Sequence, residues 1–87
     1  MKFTIEVNVR LGTRHQNEVK DENGVRKFRI VQAVYEATNF RPLGYISKRG
    51  VRFSAWEAFN KDGHTIGLYT SRQSAIHYTI RAALDTL

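Results

Sequence analysis

Hydrophobic and polar residues alternate over residues 2–10. Phe3, Ile5, Val7 and Val9 fall on one side, and Lys2, Thr4, Glu6, Asn8 and Arg10 on the other. A period of two predicts a strand with one buried and one wet face. Residues 11–24 are polar and end in Asp21-Glu22-Asn23-Gly24, and an Asn-Gly pair suits a tight hairpin turn. This stretch is either a long hairpin tip or the continuation of two strands toward that turn. Residues 25–37 read as a second, longer strand whose phase changes: Phe28 and Ile30 share one side, while Val31, Ala33 and Tyr35 take the other. The change between 30 and 31 predicts either a bulge or a central strand covered on both faces.

Asn39-Phe40-Arg41-Pro42-Leu43-Gly44 interrupts the pattern and holds the only proline. It divides the single expected domain, residues 1–87, into an N-terminal hairpin (1–40) and a strand–turn–strand–helix unit (44–87). Within that unit, 45–47 is a short strand and Lys48-Arg49-Gly50 a basic turn. Residues 51–59 form a strand with Val51, Phe53, Ala55 and Phe59 opposite Arg52, Ser54 and Trp56. Asn60-Lys61-Asp62-Gly63 signals a turn, and 65–69 the next strand. Tyr45 and Tyr69 then lie on neighbouring strands, which suggests that they meet. Thr70-Ser71 suits a helix cap. After it, Ile76, Ile80, Ala83, Leu84 and Leu87 make one apolar stripe at helical spacing. Arg72, Gln73, His77, Arg81 and Asp85 form the outer face. The expected fold class is α+β: an antiparallel sheet of four or five strands with one C-terminal helix packed on one face.

Charge is the first pointer to function. Among 87 residues, 14 Lys+Arg oppose eight Asp+Glu for a net +6, and nine of the 14 are arginine, whose planar fork suits phosphate. With no cysteine there is no disulfide or thiolate metal site, and a reducing, cytoplasmic setting fits. No apolar run reaches the roughly 20 residues of a membrane span. The alternating start predicts no signal peptide. His15, His64 and His77 stand outside metal-ligand spacings, and Gly63-His64-Thr65-Ile66-Gly67 is not a phosphate loop. Neither an enzyme nor a cofactor is expected.

Basic and aromatic residues gather in the C-terminal unit. Arg41, Lys48, Arg49 and Arg52 crowd one hairpin, Trp56 shares a strand face with Arg52, and Arg72 begins the helix. Guanidinium groups beside aromatic faces suit phosphates beside bases. The plainer alternative makes Trp56 a core residue and the 48–50 turn a solvated tip.

Gly50-Val51-Arg52, Trp56-x-Ala58, Gly63, Ile66-Gly67-x-Tyr69-Thr70, Ala75 and Ala82-Ala83-Leu84 together resemble three-stranded-sheet DNA-binding domains. These are the plant ethylene-response type and the arm-binding domain of tyrosine integrases. The likeness covers residues 44–85. It implies that three strands enter a DNA major groove with the helix packed behind them, and that Arg49, Arg52 and Trp56 face DNA. A phage or mobile-element accessory protein would follow from the integrase likeness. The segment also resembles the C-terminal half of double-stranded-RNA-binding domains, through Phe53 to Phe59, Gly63, Gly67, Ser71-Arg72-x-x-Ala75 and Ala82-Ala83-Leu84.

The leading expectation is therefore a nucleic-acid-binding protein, DNA favoured over RNA, with Arg41, Lys48, Arg49, Arg52, Trp56 and Arg72 as binding residues. The alternative is a small interaction module, such as a phage inhibitor, that binds an acidic surface of another protein. An uncovered edge strand would allow a homodimer.

Overall fold

The computed structural model describes residues 9–37, 41–49 and 55–85. Five strands, β1 (Val9–Lys20), β2 (Arg26–Glu36), β3 (Pro42–Arg49), β4 (Ala55–Asn60) and β5 (Thr65–Tyr69), precede one helix, α1 (Arg72–Asp85). The strands pair in chain order as one antiparallel meander. The fold is the expected α+β class, with five strands and the C-terminal helix packed on one face.

Residues 11–20 are strand, so the first hairpin runs on to its Asp21–Val25 turn. Of the strand expected over 2–10, only Val9 and Arg10 lie within the described residues, and both belong to β1. Pro42 does not interrupt the sheet. It occupies the first position of β3, where a missing amide hydrogen is tolerated.

Two of the sheet's connections, 21–25 and 60–64, use the same turn. In Asp21-Glu22-Asn23-Gly24-Val25, the Asp21 carboxylate accepts from the amides of Asn23 and Val25, both at 2.9 Å. In Asn60-Lys61-Asp62-Gly63-His64, the Asn60 side-chain oxygen accepts from the amides of Asp62 and His64, both at 3.0 Å. The backbone bonds match too: the fourth residue's amide donates to the first residue's carbonyl, and the first residue's amide donates to the fifth's. Both fourth positions are glycine with positive φ, 79° at Gly24 and 84° at Gly63, which a side chain would strain. The amide of Val25, with those of Asn23 and the Lys27 ammonium, holds Asp21 below the ordinary aspartate range.

Those bonds require the charged carboxylate, so their support of the hairpin is complete above the unfolded pKa of about 3.9. It disappears as pH falls through the lower, folded value. NMR titration of the Asp21 carboxyl is expected to show a midpoint below that of an unstructured peptide. An equal midpoint would contradict the turn.

The hairpin does not project. Its end curls back so that the Lys20 amide donates to the Gly63 carbonyl at 2.7 Å, and Lys20 pairs with His64 beside the second turn. The sheet is therefore strongly curved, with a core on each side. The side away from the helix buries Val19, Val31 and Phe59, with Tyr45 packed against them. The helix side buries Val34, Leu43, Ile46, Ala58, Ala75 and Ile80.

Ser71 caps α1: its hydroxyl accepts from the Ser74 amide at 3.1 Å, and its carbonyl from the Ala75 amide. Thr79, fully buried, donates its hydroxyl to the Ala75 carbonyl at 2.7 Å and so has no unmet polar group. Ile76, Ile80, Ala83 and Leu84 face the sheet as the stripe requires, and Leu87 lies outside the described residues. The helix rests on β3 and β4, then β5, and barely reaches β2.

That placement settles the phase change in β2. The pairing of β1 with β2 is unbroken from Arg14 to Lys20, so there is no bulge at 30–31. The shifts fall between Leu11 and Arg14 and between Val34 and Tyr35. Residues 31–34 are instead covered on both faces. Phe28 and Ile30 lie on the same side as Val34 but beyond the helix, and they are 67% and 58% exposed.

Candidate nucleic-acid interface

In an antiparallel pair, directly opposite side chains share a face. Arg14 pairs with Gln32, Gln16 with Ile30, and Glu18 with Phe28. Gln32 pairs with Ile46 and Ile46 with Ala58. Lys48 pairs with Trp56, and Trp56 with Tyr69. Ile46, Ala58 and Trp56 pack in the helix-side core, so this whole set lies on the helix-bearing face. The helix covers the β3–β5 half of that face. The ends of β1 and β2 that carry Val9, Leu11 and Val34 join that core, and the rest of β1 and β2, toward their turn, is open.

At the border between the halves, Arg72 opens α1. Its guanidinium donates to the Gln32 side-chain oxygen at 3.1 Å and lies 5.9 Å from the Trp56 ring centre. Gln32 is itself held by its amide nitrogen donating to the Gly12 carbonyl at 3.1 Å. Arg72 is thereby aimed back over the sheet. Behind Trp56, Tyr69 stacks on Tyr78 at 4.5 Å with the rings 7° from parallel. Burial, and secondarily Tyr78, raises the Tyr69 pKa above the ordinary tyrosine value.

Three cations thus gather at the Gln32 end of the open part: Arg14 on β1, Lys48 at the end of β3, and Arg72, with Arg26 at the opposite, hairpin end. The exposed Ile30 and Phe28 follow along β2 toward the hairpin turn. Among the described residues, Arg14 and Lys48 are exposed and make no ion pair. The one acid on this part of the face, Glu18, is engaged by Arg26 at 3.2 Å.

The six residues expected to bind do not form one patch. Lys48, Trp56 and Arg72 come together on the helix-bearing face. Arg49 follows Lys48 by one residue and therefore points to the other face. There its guanidinium donates to Glu57 at 2.6 Å. Glu57 is only 7% exposed and also accepts from the Thr65 hydroxyl at 2.8 Å, so the Arg49 charge is matched by a buried carboxylate. Arg41 precedes β3, at the opposite end from Lys48, and lies 3.0 Å from the Glu36 carboxylate. It also lines a groove of about 500 Å³ beside Lys61 and Ala83. The expected basic turn at 48–50 is not a turn at Lys48 and Arg49, which pair with Trp56 and Ala55 as the end of β3, and Gly50, like Arg52, lies outside the described residues. Trp56 is half-buried against the helix-side core and so is on the side that α1 covers. Tyr45 and Tyr69 do not meet, because they occupy opposite faces: Tyr45 stands edge-on to His15 at 6.2 Å, in the other core.

Arg14, Phe28 and Ile30 were not among the expected site residues. Their alternation with the opposite face was visible, but what covers each face was not. The three histidines lie apart: His15 by Tyr45, His64 in the second turn and His77 edge-on to Tyr78. Among the described residues no cluster of three or more His, Cys, Asp or Glu could hold a metal. Among them, too, no helix is long and apolar enough to cross a membrane.

No protein-family model, curated protein or solved structure matches this chain.

Proposed function

We propose that this protein binds nucleic acid on the half of the helix-bearing sheet face that α1 leaves open. The observation that carries the reading is the group of Arg14, Lys48 and Arg72 at the end of the exposed Ile30 and Phe28 strip, with the local acid Glu18 already paired. Cations at that end would take phosphates, and the apolar groups of the strip would take bases or sugars. The net charge of +6 adds long-range attraction for a polyanion. A protein partner with an acidic rim is the second reading, supported by the same exposed Phe28 and Ile30.

A salt titration separates the two. Three phosphate contacts release counterions, so the logarithm of affinity for an oligonucleotide is expected to fall against log salt with a slope of about −2 to −3. Absence of oligonucleotide binding at low salt would defeat the nucleic-acid reading and leave the protein-partner one.

A further inference from the structure

We infer that the open face takes single-stranded rather than duplex nucleic acid, with Phe28 as its base-stacking platform. This rests on the reading above and adds the form of the ligand. Phe28 is the most exposed large apolar side chain among the described residues, at 67%, and Ile30 beside it is 58% exposed. Both project from the middle of a hydrogen-bonded hairpin, so their backbone is fixed by pairing with β1. A ring on a rigid sheet can stack on any base, because every base has an apolar face. A duplex offers no such surface along its length: its bases are already stacked on each other, and its grooves present edges, not faces.

The cations fit the same ligand. Arg14 lies opposite Gln32, Arg72 donates to Gln32, and Lys48 is two residues past Ile46, the β3 partner of Gln32, so the three gather at one end of the strip that Ile30 and Phe28 continue along β2. A strand running along β2 can place phosphates at that cationic end and bases over Ile30 and Phe28. The fixed position of Arg72, through Gln32 and Trp56, gives one contact at that end in advance. Stacking on Phe28 accepts any base, so weak sequence preference is part of the proposal.

Fluorescence anisotropy with labelled oligothymidylate, oligouridylate and a mixed-sequence duplex, each about 20 units long, tests it on the full chain. Both single strands are expected to bind at least about tenfold tighter than the duplex. Phe28→Ala is expected to weaken single-strand binding about tenfold and leave duplex affinity unchanged, while Phe28→Trp keeps it. Since Phe28 is exposed, circular dichroism of Phe28→Ala should match the parent. Duplex binding as tight as single-strand binding, or Phe28→Ala without effect, overturns the single-strand inference alone. Salt-insensitive binding, or none to any of the three, overturns nucleic-acid binding itself.

Discussion

The Phe59→Ala chain is expected to lose about 3–5 kcal/mol of folding stability. Phe59 is 1% exposed and packs with Val19, Val31 and Tyr45 on the face away from the helix. Four strands contribute to that cluster: β1, β2, β3 and β4. Removing the ring leaves a cavity that they cannot close together, because the Lys20–Gly63 contact and the two matching turns fix the curvature around it. A domain of this size has about 5–15 kcal/mol in total, so the loss is a large fraction. Urea unfolding should show a lower midpoint with an unchanged slope. A loss below about 1 kcal/mol would mean that this second core does not hold the sheet.

Replacing Arg14, Lys48 and Arg72 together by glutamine is expected to weaken nucleic-acid binding about a hundredfold near 0.1 M salt and to flatten the salt slope by about two to three units. The three side chains share one face, and none is the partner of a buried carboxylate, so the change removes rim charge with little effect on folding. Lys61→Gln is the control. It deletes the same kind of charge at an exposed turn position beside the far end of the helix, and binding should barely move. If the control weakens binding as much per charge as the triple variant, attraction is a property of net charge and not of this face.

These two expectations show what the sequence can and cannot convey. The helix was legible because Ile76, Ile80, Ala83 and Leu84 repeat at its period and Ser71 stands at its start. The turns were legible because Asp21 and Asn60 each precede a glycine by three residues and carry the side-chain oxygen that closes the loop. The five-strand antiparallel sheet follows from alternation between those turns.

The site was less legible. Periodicity assigns Phe28, Ile30, Gln32 and Val34 to one side of β2, but it does not say where a distant helix ends. Val34 is buried and Phe28 exposed because α1 covers β3–β5 and stops short. The change of phase at 30–31 is therefore a change of cover and not of backbone. Closeness in sequence also misled. Lys48 and Arg49 are neighbours in a strand and so point apart, one to the open rim and the other to Glu57. Arg14 lay in a stretch whose strand character depended on which of two readings of residues 11–24 held. Its pairing with Gln32 makes it part of the face. A concentration of basic residues along a chain is a surface only when their spacing matches the period of the element that carries them.

The placement of the ligand on the open half-face is tested most directly by amide chemical-shift mapping of the labelled protein during titration with oligothymidylate at low salt. Changes are expected at Arg14, Gln16, Phe28, Ile30, Lys48 and Arg72, with the amides of Tyr45, Arg49 and Phe59 little moved. No change at saturating oligonucleotide, or changes centred on Tyr45 and Arg49, would contradict it.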